Sequence, residues 1–224
     1  MATILLLHGA IGSEAQLFPL RDKLSMTHRV LSMNFSGHGG KEITHPFSIK
    51  YFAEEVVAFL HQQQIDRVTI FGYSMGGYVG LYLARHFPTI VERVITLATK
   101  FEWTPEIAAK EVKLLQAEVI EQKLPKFAAL LQQRHLPQDW KRILQYTAAM
   151  MQEMGQENPL TTEDLEMISC PVLLMIGDSD KMVSIEETLA VYRKLPNAQL
   201  TVLPKTQHPI EQVFIGDIIY FISR

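Results

Sequence analysis

The sequence predicts an α/β fold: a doubly wound, mostly parallel six-stranded sheet with an inserted block of helices. Three observations carry that reading. Short apolar runs alternate with longer segments whose apolar residues recur at helical spacing. Runs such as Ile4 to Leu7 and Val172 to Ile176 are apolar on consecutive residues, as strands covered on both faces are. The alternation stops from about Phe101 to Ile168, where helical stretches follow one another without a strand.

Taken in order, Ile4 to Leu7 is the first strand candidate, ending at His8-Gly9. Ser13 to Leu24 has helical spacing. Arg29 to Met33 is a second strand, ended by Ser36-Gly37-His38-Gly39-Gly40. Ser48 to Gln63 reads as a helix with Tyr51, Phe52, Val56, Phe59 and Leu60 on one face. Val68 to Phe71 is a third strand, followed by a helix from Met75 to Phe87, and Val94 to Ala98 is a fourth. The helical block reads as Glu106 to Glu121, Leu124 to Arg134 and Asp139 to Met154, punctuated by Pro125, Pro137 and Pro159. The rhythm then resumes with strand Val172 to Ile176, helix Ile185 to Leu195, strand Leu200 to Leu203 and helix Ile210 to Ile222. Residues 1–100 and 169–224 are therefore expected to form one core, and residues 101–168 a helical insertion. No repeat or low-complexity tract interrupts this plan.

Composition excludes several classes. At 47% hydrophobic and 20% charged, the 224 residues suit a globular domain with a substantial core. A net charge of -3 and no Lys/Arg run argue against nucleic acid or an anionic membrane as partner. No run approaches the roughly 20 apolar residues that span a bilayer. The first nine residues lack the basic flank of a signal peptide. The single cysteine, Cys170, has no partner for an intramolecular disulfide and reads as a small buried side chain. A soluble, cytoplasmic protein is expected. Nothing in the pattern specifies an oligomeric state.

Gly72-Tyr73-Ser74-Met75-Gly76 matches G-x-S-x-G between a strand and a helix. A sharp turn there would force a strained backbone at Ser74, and Cβ atoms on Gly72 and Gly76 would collide. Ser74 would also sit at a helix N-terminus, where free N–H groups favour developing negative charge. A serine hydroxyl needs a base. Of eight histidines, His28, His45, His61 and His135 lie in polar surroundings and read as surface residues. His86 closes the helix after Ser74, His8 reads as structural, and His38 lies in a glycine-rich turn. His208 follows the last strand and precedes a helix started by Pro209, so it is placed to reach the carboxyl ends of the strands. An acid to orient it is offered by Asp178 or Asp180, just after Val172 to Ile176. Gly37-His38-Gly39-Gly40-Lys41 fits neither nucleotide-binding pattern, and no H-E-x-x-H or Cys/His cluster occurs. No cofactor and no metal are expected.

Together "LLLHGAIGS" at Leu5 to Ser13, "GYSMGG" at Gly72 to Gly77, "GDSDKMV" at Gly177 to Val183, and His208 before the last helix resemble the α/β-hydrolase superfamily from end to end. The resemblance implies a catalytic triad of Ser74, Asp180 and His208. The family's G-x-x-D-x-x-V falls on Gly177, Asp180 and Val183, which favours Asp180 over Asp178. It implies an oxyanion hole made by the backbone N–H groups of Ala10 and Met75, and a cap over the pocket formed by the inserted helices. Two strands that commonly precede the first are absent, so six parallel strands are expected. The chain departs from the usual pattern at Gln207, where relatives often carry glycine, and at Asn34, where they often carry aspartate. The implied activity is hydrolysis of a small carboxylic ester or thioester through an acyl-enzyme. The alternatives are a C–C hydrolase or lyase of the same superfamily, of menaquinone-pathway or aromatic-degradation type, and a small-molecule receptor. A lyase would need a cationic cap residue for a substrate carboxylate. Arg134, Lys141 and Arg142 are candidates that each read more simply as surface residues. Met150, Met151, Met154, Phe127 and Trp140 are candidate pocket residues whose simpler role is packing within the cap.

Overall fold

Leu5 and Leu7 bury on one side of their strand, and Ile4 and Leu6 on the other. That two-sided burial is what an unbroken apolar run demands, because successive side chains point to opposite faces. Each fully buried leucine contributes about 1.5–3 kcal/mol. In the computed structural model, which describes residues 3–223, six strands form one parallel sheet. They are β1 (Thr3–Leu7), β2 (Arg29–Met33), β3 (Val68–Tyr73), β4 (Val91–Leu97), β5 (Val172–Gly177) and β6 (Ala198–Leu203), in spatial order β2-β1-β3-β4-β5-β6. Met1 and Ala2, at the head of the stretch that lacks a signal-peptide pattern, lie outside the described residues, as does Arg224.

Each face of the sheet carries helices. On one side α2 (Ile49–Gln62), α3 (Met75–His86) and α9 (Ile185–Tyr192) cover Leu5, Leu7, Val68, Ile70 and Val94. On the other, α1 (Phe18–Leu24) and α10 (Ile215–Ile222) cover Ile4, Leu6, Phe71 and Ile95. The doubly wound sheet is therefore as expected. Between β4 and β5 the chain holds α4 (Pro105–Val112), α5 (Ala117–Lys123), α6 (Pro125–His135), α7 (Trp140–Gln156) and α8 (Thr162–Glu166), with no strand among them. Ile120, Leu131, Trp140 and Leu144 make a small core of their own. Ile143, Met150 and Met154 join the main core instead. No helix among the described residues is long and apolar enough to cross a membrane.

Several elements differ from expectation for identifiable reasons. The helix expected over Ser13 to Leu24 begins as a 3-10 turn, Glu14–Leu17, before α1. Pro19 has no N–H to give the carbonyl four residues back, so the α ladder cannot run through it. The single helix expected over Glu106 to Glu121 breaks at Gln116, which is extended. Leu115 just before the break, and Ala117 and Ile120 beyond it, turn toward the small helical core. The last helix likewise splits into a 3-10 turn, Ile210–Gln212, and α10. Cys170 is half-buried rather than buried.

The strand order reverses direction about β1 and β3: β2 lies outside β1, and β4 outside β3. In open parallel sheets the crevice at such a switch, beyond the carboxyl ends of the strands, is where ligands bind. The loop after β1 carries Ala10 and the turn after β3 carries Ser74.

Candidate active site

From Val68 to Leu81 every residue is buried except Ser74, which is half-exposed. Its backbone is in the left-handed region at φ 51° and ψ -119°. A non-glycine residue held there carries on the order of 1–3 kcal/mol of strain. The neighbourhood fixes it: Ser74 N–H donates to the Leu97 carbonyl at 2.8 Å, and the Thr99 hydroxyl donates to the Ser74 carbonyl at 3.0 Å. The flanking glycines are required by close approach, but not to each other's Cβ. A Cβ on Gly72 would strike the backbone of Gly76 and Gly77. One on Gly76 would strike the Leu7 carbonyl at the end of β1. The turn is therefore pressed against both its own helix and the neighbouring strand. Met75 opens α3, so its N–H is among those left free at the helix N-terminus.

His208 is held from three sides. Its Nδ1–H donates to Asp180 Oδ2 at 2.8 Å. That bond fixes the tautomer and leaves Nε2 as the acceptor of the neutral ring. Its carbonyl accepts from the Tyr73 hydroxyl at 3.0 Å. The loop that carries it is stitched to the acid loop by Asp178 N–H to the Leu203 carbonyl and Ser179 N–H to the Thr206 carbonyl. The Asp180 side chain has no solvent exposure. Its other oxygen accepts from the N–H groups of Met182 at 2.8 Å and Val183 at 2.9 Å. Burial alone would raise this carboxyl; the His208 bond and charge and the two amides outweigh it and hold it below its ordinary value. Asp178 is exposed and bonds only its neighbour's hydroxyl, Ser179, and backbone near Lys205 and Thr206.

Ser74, Met75, Ala10 and His208 line one pocket of about 500 Å³. The rest of its wall includes Met150, Met151, Met154 and Met182. Three of these methionines come from α7, so they face the pocket rather than only packing among helices. Trp140 and Phe127 do belong to the small helical core. Lys100, Glu111 and Trp103 add polar groups to the pocket wall. Lys100, just past β4, lies 3.5 Å from Glu187 and 3.9 Å from Glu111. For Trp103, the buried Nε1 has no hydrogen-bond partner among the described residues. Position after a strand's carboxyl end was the one available signal for Lys100.

Three histidines cluster behind the Ala10 loop. His8 and His38 ring centroids are 5.0 Å apart, and those of His38 and His135 5.8 Å. All three are buried. For His135 this overturns the surface reading: it ends α6 and points inward, between the loops after β1 and β2. His8 Nδ1 donates to the Gly9 carbonyl at 2.8 Å, and its Nε2 accepts from Phe35 N–H at 3.2 Å. Burial pushes His8 down to about 3 and His135 down to about 4, and holds His38 well below its ordinary value. Asn34 bonds Glu14 twice, accepting from its N–H at 2.8 Å and donating to its carboxylate at 3.0 Å. Arg134 is also not a surface residue, its side chain being only 11% exposed.

A six-stranded parallel sheet with a strained serine after the third strand defines a class, and sequence comparison agrees. The alpha/beta hydrolase family model matches residues 4–213, and the chain belongs to that family of hydrolases. Protein PHYLLO, chloroplastic, of Arabidopsis thaliana is 31% identical over 103 residues. That match covers 42% of this chain and 6% of the relative, so the chain spans only a small part of that protein's length. The pimeloyl (acyl-carrier protein) methyl ester esterase of Neisseria meningitidis is 29% identical over 226 residues, covering 92% of this chain and 86% of the relative. Among solved structures, the enol-lactonase from Burkholderia xenovorans LB400 superposes with a TM-score of 0.80 at 19% identity, covering 100% of this chain and 92% of that one. At that identity the likeness shows the shared fold.

Proposed function

We propose that the chain hydrolyses a small carboxylic ester or thioester, with Ser74 as nucleophile, His208 as base and Asp180 as its orienting acid. The observation that carries the reading is the 2.8 Å His208–Asp180 bond, made by a histidine that shares a pocket wall with Ser74. Ser74 Oγ adds to the substrate carbonyl carbon while His208 Nε2 takes the hydroxyl proton. The resulting oxyanion lies against the N–H groups of Ala10 and Met75. The intermediate collapses, the alcohol or thiol leaves with the proton from His208, and Ser74 remains acylated. A water then gives its proton to His208 and attacks the acyl carbon; as the second intermediate collapses, His208 returns that proton to Ser74 Oγ, and the acid leaves. No cofactor or metal is needed for any of these steps. Residues 101–168 act as the cap, since α7 supplies three of the pocket methionines.

The pocket chemistry favours this reading over a lyase that grips a substrate carboxylate. Arg134 is engaged with Ile11 and Glu211, Lys141 pairs with Glu121 at 2.6 Å, and Arg142 lies over Tyr146. Lys100, which lines the pocket, sits between two carboxylates and leaves the cluster net negative. A neutral acyl group among flexible methionines suits that wall better than an anion does. The Neisseria relative is by name a methyl ester esterase, which supports the ester class. The single cysteine and the modest net charge support a small-molecule substrate, no nucleic-acid or membrane partner, and a reducing cytoplasm.

The test is turnover on a series of p-nitrophenyl esters from acetate to octanoate. Multiple turnovers that vanish in Ser74→Ala are expected. One product per protein molecule would favour a receptor, and turnover of diketones but not esters would favour a C–C hydrolase.

A further inference from the structure

Gly12 N–H closes a turn onto the Gly9 carbonyl at 3.1 Å, with Ala10 and Ile11 as its central residues. Ile11 has φ 51°, a value that the third position of such turns normally gives to glycine. A β-branched residue holds that conformation only where its surroundings over-determine it. Here they do so through α6. The Ile11 carbonyl accepts two hydrogen bonds, from Arg134 Nη1 at 3.1 Å and His135 Nε2 at 3.0 Å. Its side chain packs against the small core of α5, α6 and α7.

Both donors are themselves anchored. His135 Nδ1 accepts from Gly39 N–H at 3.1 Å, so the ring is neutral with its proton on the nitrogen that faces Ile11. Arg134 Nη2 lies 3.5 Å from Glu211, three residues past His208. Glu211 accepts from Gln16 at 2.7 Å, and Gln16 in turn accepts from Ser13 N–H at 3.0 Å. One end of α6 thus ties together the loop of Ala10, the loop after β2 and the segment that follows His208.

We propose that Arg134 and His135 are positioning residues, which hold the Gly9–Gly12 turn in its strained form and so aim the Ala10 N–H. The effect on catalysis rests on the ester-hydrolase reading above; the effect on the turn does not. Removing the clamp lets Ile11 relax toward ordinary φ and rotates the peptide units beside it. Ground-state binding in the methionine pocket, whose walls do not include Ile11, is left in place.

The experiment compares Arg134→Met, His135→Phe, His135→Gln and the double variant Arg134→Met/His135→Phe, with Lys141→Met as a control on an unrelated α7 ion pair. On a neutral p-nitrophenyl ester, kcat should fall at least ten-fold in Arg134→Met and His135→Phe with KM within three-fold. His135→Gln, which keeps a donor, should recover most of the loss, and Lys141→Met should match the parent. Unchanged kcat in the folded single variants, or a loss seen wholly in KM, would overturn the proposal. Hydrogen exchange of the peptide spanning residues 8–13 is read in parallel. It should speed up in each clamp variant while β1 stays protected. An unchanged exchange rate there would also overturn it, whether or not the parent protein turns over esters. A double variant that does not fold leaves the decision to the single variants and His135→Gln. A parent with no ester turnover would defeat the hydrolase reading while exchange still decides the clamp.

Discussion

Tyr73 donates its hydroxyl hydrogen to the carbonyl of His208 at 3.0 Å, joining the residue before Ser74 to a loop 135 positions later. The rings lie 5.6 Å apart. Burial raises the phenol well above its ordinary value, so it stays a donor throughout the working range. Tyr73→Phe removes that bond and leaves the ring. Stability should fall by about 1 kcal/mol, the net worth of one hydrogen bond. Ester kcat should fall several-fold, because the candidate base loses one of its anchors. Urea titration and steady-state kinetics check both, and an unchanged kcat would show that the Asp180 bond alone holds His208.

Asp180 and Asp178 should separate sharply. Asp180→Asn keeps the shape but loses the acceptor that fixes the His208 tautomer, and kcat should drop by roughly 10³–10⁴. Asp178→Asn alters an exposed turn, and kcat should stay within about three-fold. The two variants measured side by side decide which acid serves, and the reverse ranking would reassign it to Asp178.

Gly76→Ala should damage the fold more than a methyl group usually does. Its Cβ would meet the Leu7 carbonyl, which is backbone in the first strand and cannot swing away. A loss of about 2 kcal/mol or more is expected, since overpacking in a tight core typically costs 1–3 kcal/mol. Thermal unfolding reads it, and a melting temperature equal to the parent's would show that β1 and α3 can separate freely.

Acid should destabilise the protein from the physiological side downward. His8 and His135 are held down to about 3 and about 4, and His38 lies well below its ordinary value, so all three stay neutral when folded. In the unfolded chain each takes a proton near pH 6.5. Between there and about pH 4 the unfolded state binds more protons, so stability falls as pH falls. Each histidine contributes about 1.4 kcal/mol per pH unit in that window. Asp180, held below its ordinary value, adds its own loss only at lower pH, as it protonates. Urea midpoints at pH 7, 6 and 5 should drop steeply, and less steeply in His135→Gln. Constant midpoints would mean the cluster is protonated when folded.

Much of this architecture was legible because it follows from local pattern. The central strands β1, β3, β4 and β5 are legible as apolar runs, since a strand buried on both faces has little room for polar alternation, whereas the edge strands β2 and β6 are only partly buried. Ser74 was legible because glycines at fixed offsets announce a turn with no space for side chains. What escaped was set by distant packing. His135 sits in a polar stretch, between Arg134 and Leu136, and nothing local says that it turns inward to meet Ile11. The role of Arg134 was hidden for the same reason, as its partners lie 123 residues before it and 77 after. The motif by itself points to a clash within the turn at Gly76, whereas the obstacle belongs to β1. The methionines of α7 show the limit of periodicity: it marks an apolar face but does not say whether a pocket or a core lies against it.

Assignment of Ser74 as the activated nucleophile underlies every kinetic prediction above. Incubation of the folded protein with a fluorophosphonate, followed by intact mass and peptide mapping, tests it most directly. A single adduct on Ser74 is expected, formed rapidly in the parent, slowly in His208→Ala, and absent in Ser74→Ala. No adduct on folded protein, or one at another residue, would contradict it.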